Sequence, residues 1–153
     1  MYGTEALGVM RIEKGHAAGN ELDGRNTAVN LGLSGLMAKK KDYIGKTLSS
    51  REKLSGNKTM VGFLSVNPSD KLTSGSHFMN TDDKILPEND QGHMSSVAYS
   101  PILERYIGIG FLKNGKDRYN ETLKAIDFLQ NNHVEVKVVS PHFIDPNGDR
   151  LRA

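Results

Sequence analysis

The sequence lacks cysteine and tryptophan entirely in its 153 residues. Without cysteine the chain can form no disulfide, no thiolate nucleophile and no cysteine-ligated metal site, and a reducing compartment is its natural setting. It also lacks any run approaching the roughly 20 apolar residues of a membrane helix, and the N-terminus has no apolar signal core. We therefore expect a cytoplasmic protein with no membrane association.

A strong excess of one charge is missing as well. The chain carries 20 basic and 18 acidic side chains, for a net charge of +2. This balance gives no field that would attract nucleic acid. The basic cluster at residues 39–41 has no interleaved aromatic residues, as a single-strand binding surface would have, so we interpret it as a solvated loop. No nucleic-acid partner is expected.

The composition favours β structure. The hydrophobic fraction of 37% is low for a globular domain, while 16 glycines are many. A turn-rich protein fits these values better than a helical bundle. The length predicts one domain, or one domain with an additional piece.

Residues 89–112 are the clearest structural unit and predict two strands joined by an elbow. Residues 94–99 contain enough apolar and β-branched side chains to form a strand, and Pro101 ends it because proline supplies no amide donor. From Ile107 to Phe111 bulky residues alternate with glycines, which places side chains on one face and bare backbone on the other. Glycine at these positions permits a close neighbour.

Other segments predict a set of short elements. Strands are expected at residues 58–66, 77–79 and 134–138, and a short one at residues 31–37. A helix is expected over residues 4–14, with Thr4 as its cap and Gly15 closing it in the left-handed conformation. A second helix is expected from about Lys46. The first helix has a narrow apolar stripe and would be marginal alone, so it must pack on something else.

Residues 120–130 allow two interpretations. Leu123, Ile126 and Leu129 have helical spacing, while residues 122–128 could equally form a strand that enters a turn at residues 131–132. Periodicity alone slightly favours the helix.

Most patterns associated with catalysis or metal binding are absent or incomplete. The five histidines have no ligand spacing with a carboxylate partner, so no metal site is predicted. Ser95 and Ser96 lack the Gly-x-Ser-x-Gly elbow that exposes a nucleophile. No catalytic residue is predicted in this chain.

Arg11 and Glu13 lie near the end of the predicted first helix, within reach of the loop at residues 16–21. One interpretation is a salt bridge at the surface or between domains. The other is that Arg11 faces an anionic ligand, since a guanidinium group can hold a carboxylate through two hydrogen bonds.

A set of motifs follows in order along the chain: residues 2–15, Thr27 with residues 31–33, residues 41–46, residues 92–96, Ser100 with Pro101, and residues 107–110. Together they resemble the C-terminal part of the aminomethyltransferase, or glycine cleavage T-protein, family over essentially the whole chain. Within that family, residues 88–92 and 139–146 are most similar to the branch formed by the α subunits of heterotetrameric sarcosine oxidases.

The resemblance implies an α+β fold that is mainly β. Residues 1–55 would end a folate-binding α+β domain, as a helical remnant of it, and residues 58–153 would form a C-terminal antiparallel, Greek-key-like β-barrel. The boundary falls at residues 55–57. The resemblance also favours the strand over the helix for residues 122–128. We accept this against the periodicity and expect the chain to be a piece of a larger protein.

The resemblance further implies an enzyme that oxidatively demethylates sarcosine to glycine, forms hydrogen peroxide and passes the one-carbon unit to tetrahydrofolate. FMN, FAD and NAD would bind outside this chain, and the partners would be the remainder of the α subunit and the other subunits. Arg11, Glu13 and His16 are the expected tetrahydrofolate-side residues. Leu7 stands where the family usually has a folate-contacting arginine, so folate binding by this piece alone should be weak or absent, and the piece should be inactive.

Two alternatives stay open. The chain could belong to a tetrahydrofolate-dependent aminomethyltransferase or demethylase that has no flavin partners. It could also be a binding module with no catalytic parent.

Overall fold

A computed structural model describes residues 2–49, 51 and 57–152. In this part of the chain six strands form a closed antiparallel barrel. They are β1 (Lys58–Ser65), β2 (His77–Asn80), β3 (Gly92–Ser100), β4 (Arg105–Lys113), β5 (Thr122–Asp127) and β6 (Asn132–Val139). The prediction of a mainly β fold built on an antiparallel barrel is therefore confirmed.

The strand order around the barrel is β1-β4-β3-β2-β5-β6. Strands β2, β3 and β4 are consecutive neighbours, and β1 returns to pair with the far side of β4, which is a Greek-key arrangement. The hairpin of β5 and β6 then closes the barrel, since β6 pairs with β1.

The interior of the barrel is filled by side chains from all six strands. The rings of Phe63 and Phe78 stack at its centre, with centroids 4.0 Å apart. Buried apolar side chains surround them, namely Val61, Leu72, Met94, Leu112, Leu123, Ala125, Val136 and Val138. The alternation seen in the sequence of β6 places Val136 and Val138 on this inner face.

Strand β4 has two different faces, as its alternating pattern predicts. Ile107 and Ile109 lie on the outer face and pack against Ile12 of the first helix. On the other face, a Cβ added at Gly110 would collide with the carbonyl oxygen of His93 on β3. Glycine therefore allows the backbones of β3 and β4 to approach closely here.

The segment before the barrel, which we call the leading segment (residues 2–49 and 51), contains helix α1 (Thr4–Glu13), a short 3-10 helix (Ser34–Leu36) and helix α2 (Lys46–Ser49). The start of the second helix agrees with the prediction. Within the described part of this segment Ile12 is the only buried apolar side chain, and Leu36 and Ile44 are almost fully exposed. The leading segment thus has little core of its own and depends on the barrel wall.

Two local predictions for the leading segment are wrong. Residues 31–37 form turns and the 3-10 helix, because Gly32 adopts a positive φ of 75° that breaks an extended run. Thr4 is the first residue of α1 and makes no cap, since Gly3 occupies the cap position without a side-chain hydrogen bond. Gly15 has a φ of 73° and does end the helix in the left-handed conformation, as predicted.

Residues 120–130, for which both a helix and a strand were considered, contain the strand β5. The helical interpretation is therefore wrong, and the strand that the family resemblance implies is confirmed. Leu123 and Ala125 point inward in the two-residue alternation of a strand, and β5 pairs with both β2 and β6. Leu129 would lie on the buried face of a helix, but it is 99% exposed in the turn that follows β5.

The predicted boundary at residues 55–57 falls largely on residues 52–56, which lie outside the described part of the chain, so the division into two domains stays a prediction.

Candidate functional site

Arg11 lies in the last turn of α1 and forms an ion pair with Glu21. Its Nη1 lies 2.8 Å from Glu21 Oε2, and its Nη2 donates a hydrogen bond of 2.7 Å to Ser96 Oγ on β3. The Glu21 side chain is fully buried, while the Arg11 side chain is 21% exposed. Of the two interpretations of Arg11, the geometry shows a salt bridge inside the molecule at the junction with the barrel.

Glu21 accepts hydrogen bonds on both carboxylate oxygens. Ser95 Oγ and Ser96 Oγ donate to Oε1 at 2.5 Å and 2.7 Å, and the Ala18 amide donates to Oε2 at 2.9 Å. Burial raises the pKa of this carboxyl group, but these hydrogen bonds and the charge of Arg11 outweigh it and hold the pKa below its ordinary value of 4.5. Glu21 is therefore ionised at neutral pH and balances the positive charge of Arg11.

A β-bulge explains how two consecutive serines reach the same carboxylate. The register between β3 and β4 shifts between Met94 and Ser96, which leaves Ser95 as the extra residue. In a regular strand neighbouring side chains point to opposite faces, so Ser95 and Ser96 could not both donate to one oxygen. The bulge turns both hydroxyl groups toward Glu21.

The sequence alone did not identify this cluster of Glu21, Ser95 and Ser96. Glu21 is one acid within a polar loop, and nothing local distinguishes it. The pair of serines inside an otherwise largely apolar strand could have indicated it, because buried hydroxyl groups need hydrogen-bond partners elsewhere in the chain.

Glu13 also faces the barrel. Its carboxylate is buried and accepts a 2.6 Å hydrogen bond from Ser100 Oγ at the end of β3. Its backbone oxygen accepts from the amides of Phe143 and Ile144, which follow β6. Glu13 therefore fastens α1 both to the end of β3 and to the segment that follows β6.

His16 follows α1 and is exposed, so it differs from the other two predicted site residues. Glu13 and His16 both line a hollow of 260 Å³ beside the Lys14–Asp145 ion pair. The Arg11 side chain reaches this region through a 3.4 Å hydrogen bond to the His16 carbonyl oxygen, and the Arg11 carbonyl oxygen accepts a 2.8 Å hydrogen bond from the His16 amide. The structure thus brings Glu13 and His16 together, while Arg11 is directed toward Glu21. A role of these residues in tetrahydrofolate binding stays a prediction.

A larger groove of 580 Å³ lies between the leading segment and the barrel, and His16 lines it as well. Its walls come from the leading segment, from β1 and from the loops that follow β4 and β6. The lining residues are Gly15, His16, Ala17, Leu22, Leu31, Gly32, Leu33, Met60, Lys116, Tyr119, Ser140, Pro141 and His142.

The described residues contain neither a cluster of metal-binding side chains nor a membrane-spanning helix. No three His, Asp or Glu side chains there are grouped as they would be to hold a metal ion. No helix among them has the length and apolar character needed to cross a membrane.

Comparisons with known proteins agree with the architecture. Residues 58–145 match the family described as the glycine cleavage T-protein C-terminal barrel domain. Over 92% of the chain the fold resembles the crystal structure of glycine cleavage system aminomethyltransferase T from Bartonella henselae, with a TM-score of 0.76, 16% sequence identity and coverage of 38% of that protein. At this identity the likeness concerns the fold alone.

Similarity in sequence extends through both the leading segment and the barrel. The chain is 34% identical to the sarcosine oxidase subunit alpha of Rhizobium meliloti (strain 1021), over 98% of its length, and 33% identical to that of Corynebacterium sp. (strain U-96), over 97% of its length. It spans 16% of the length of each of these relatives. The family match covers more than half of the chain and coincides with the closed barrel. The chain therefore belongs to the glycine cleavage T-protein C-terminal barrel family and is homologous to part of the sarcosine oxidase α subunits.

Proposed function

We propose that this chain serves as the folate-side scaffold of an enzyme that oxidatively demethylates sarcosine to glycine, with formation of hydrogen peroxide. The observation that carries the proposal is the 34% identity to a sarcosine oxidase α subunit over 98% of the chain. In this proposal residues 1–55 complete a folate-binding α+β domain, and residues 58–153 are the C-terminal barrel. The partners are the remainder of an α subunit and the other oxidase subunits.

The reaction divides between groups outside this chain. A flavin would take two electrons from the N-methyl amine group of sarcosine and pass them to oxygen, which gives hydrogen peroxide, and tetrahydrofolate would accept the one-carbon unit. We place FMN, FAD and NAD outside this chain. The chain supplies none of the reacting atoms, and its own task is to hold the folate side of the enzyme in position.

The contacts of the candidate residues support a positioning role for two of them. Arg11 and Glu13 are engaged with Glu21 and Ser100, so they fix the direction in which the chain leaves α1. His16 follows directly, with its side chain exposed beside the 260 Å³ hollow. We propose that His16 contacts tetrahydrofolate and that Arg11 and Glu13 hold it in place.

Sarcosine-dependent formation of hydrogen peroxide tests the enzymatic part of the proposal. The assembled oxidase that contains this chain is expected to form peroxide, and the purified chain alone is expected to form none. If the chain alone reached a rate near that of the assembly, the scaffold role would be wrong. If the assembly formed no peroxide from sarcosine, the oxidase assignment would be wrong.

Calorimetric titration with tetrahydrofolate tests the folate side. Because Leu7 stands where the family usually has a folate-contacting arginine, the chain alone is expected to bind more weakly than about 1 mM, which corresponds to about −4 kcal/mol. A His16→Ala substitution in the assembly should weaken folate binding, while the matched variant His133→Ala, at an exposed position on β6, should not. Submillimolar binding by the chain alone would contradict the expectation.

A second candidate function follows from the family match itself, which is to the glycine cleavage T-protein barrel. In that case the chain would belong to a tetrahydrofolate-dependent aminomethyltransferase or demethylase without flavin partners. One-carbon transfer to tetrahydrofolate without consumption of oxygen would identify this alternative.

A further inference from the structure

The 580 Å³ groove between the leading segment and the barrel has the size of a small-molecule site. Binding sites for small molecules are typically about 300–1,000 Å³, mostly apolar, with a few polar groups. Six apolar side chains line this groove, from Ala17, Leu22, Leu31, Leu33, Met60 and Pro141. They provide a surface for an apolar body.

The charges on the groove wall are of one sign. Lys116 lines it, no aspartate or glutamate does, and no ion pair within the described residues involves Lys116. Burial raises the pKa of Tyr119, so its phenol stays neutral and able to donate a hydrogen bond at neutral pH. Both groups favour an anion over a cation.

A backbone contact shows which ring nitrogen of His142 carries a hydrogen. His142 Nδ1 lies 2.9 Å from the carbonyl oxygen of Lys14, and a carbonyl oxygen can only accept. Nδ1 therefore carries the hydrogen, and Nε2 of the neutral ring is an acceptor. The ring adds a hydrogen-bonding atom to the groove without adding negative charge.

The groove walls are held in place by contacts between backbone atoms. The Met60 amide donates to the carbonyl oxygen of Asn30 at 2.7 Å, which joins the leading-segment wall to β1. A Cβ at Gly15 would collide with the carbonyl oxygen of Pro141, so the two walls touch at that point. Because the walls are already placed, binding would cost little ordering of the chain.

We propose that this groove binds a small organic anion. Its flat apolar body lies against Met60 and Pro141, and its carboxylate, sulfonate or similar group pairs with Lys116. The proposal does not rest on the proposed function, since it uses only the shape and charge of the groove.

Two fluorescent probes with related ring systems test this proposal on the purified 153-residue chain. 8-Anilinonaphthalene-1-sulfonate carries the anionic group, and N-phenyl-1-naphthylamine lacks it. The sulfonate probe is expected to bind at one site, and Lys116→Met should weaken its binding about fivefold to tenfold without changing that of the neutral probe. Added salt should weaken only the sulfonate probe.

Control variants locate the site. Lys137→Met removes an exposed lysine of β6 away from the groove and should leave both probes unaffected. Phe128→Ala alters a separate 330 Å³ apolar pocket lined by Ile85, Leu86 and Phe128, and should also have no effect. Backbone amide NMR shifts on adding the sulfonate probe should concentrate at Gly15, Gly32 and Lys116.

Three results would overturn the proposal. One is equal binding of the sulfonate probe to the wild type and to Lys116→Met. Another is loss of binding in Phe128→Ala, and the last is a set of amide shifts centred on the Phe128 pocket.

Discussion

Glu21 is a buried carboxylate whose hydrogen-bonding capacity is almost filled by the protein itself. Arg11, Ser95, Ser96 and the Ala18 amide all donate to it. A buried charge is tolerated when it is both paired and hydrogen-bonded. The same contacts occupy Arg11, so its positive charge is compensated inside the molecule and stabilises the junction of α1 with β3.

Replacing Arg11 by methionine should destabilise the protein by about 3 kcal/mol, because it leaves Glu21 buried without its ionic partner. Urea denaturation of the purified chain measures this difference. The matched control is Arg25→Met, which removes a side chain that is 88% exposed from its pair with Asp23. The control should leave the free energy of unfolding nearly unchanged, because ion pairs between exposed side chains contribute little to stability. Equal effects would show that the Arg11 pair is no more important than a surface contact.

Glu21 should also make the free energy of unfolding depend on pH. Its folded-state pKa lies below the ordinary value of 4.5, so ionised Glu21 stabilises the folded state above that pH. The contribution is lost as the pH falls through the folded-state pKa. The wild type should therefore lose more unfolding free energy than Glu21→Gln between about pH 6 and about pH 3. Parallel curves for the two proteins would exclude Glu21 as a source of the acid sensitivity.

At the scale of elements, the pairing of β3 with β4 combines a feature that the sequence predicts with one that it does not. The alternation from Ile107 to Phe111 predicts one bulky face and one bare face, and both are present. The bulge at Ser95 was not predicted, because it depends on which residues of β4 lie opposite. Register is a property of two strands, and one strand's sequence does not define it.

A Gly110→Ala substitution should destabilise the barrel by about 2 kcal/mol or more, because the new methyl group meets backbone atoms of β3 that cannot rotate away. Met94 Cα lies 2.8 Å from the position of that Cβ. Gly8→Ala is the control, since Gly8 lies inside α1 with nothing within 4 Å of an added Cβ. It should stabilise the protein by about 0.5–1 kcal/mol. Thermal unfolding measures both, and a stable Gly110→Ala protein would mean that the strands can separate without cost.

The segment that was predicted incorrectly and the segment whose periodicity was misleading share a physical cause. Residues 31–37 have enough apolar character for a strand but find no edge to pair with, because each described barrel strand already has two neighbours. Residues 120–130 have helical spacing, but residues 122–127 form the strand that the family resemblance implies, because pairing with β2 and β6 overrides the periodicity. Local propensity is weak compared with tertiary pairing. The strand at residues 134–138 was predicted from its alternation alone, since one face is buried and the other is polar.

The candidate site was only partly predictable for the same reason. Arg11, Glu13 and His16 could be predicted together because they lie around the end of one helix. Glu21 is ten residues away from Arg11 and reaches β3 only through the fold. Contacts of this kind depend on the assembled molecule.

For the whole molecule, the leading segment and the barrel should unfold together. Ile12 is the buried apolar contact of the described leading segment, and it packs on Ile107 and Ile109 of β4. A peptide of residues 1–57 should therefore show no stable helix by far-ultraviolet circular dichroism, because a helix as short as α1 is marginal without packing. In the intact chain, helical and β signals should disappear in one transition. A folded peptide, or two separate transitions, would show that the leading segment has a core of its own.

Closure of the barrel limits how the molecule can meet other proteins. Each of the described strands pairs with a neighbour on both sides, so none of them presents a whole free edge for β-augmentation by a foreign strand. Association must then take place through side chains and loops, where a charge reversal can abolish it without disturbing the backbone. The closed ring also protects the chain against edge-to-edge aggregation when it is produced at high concentration.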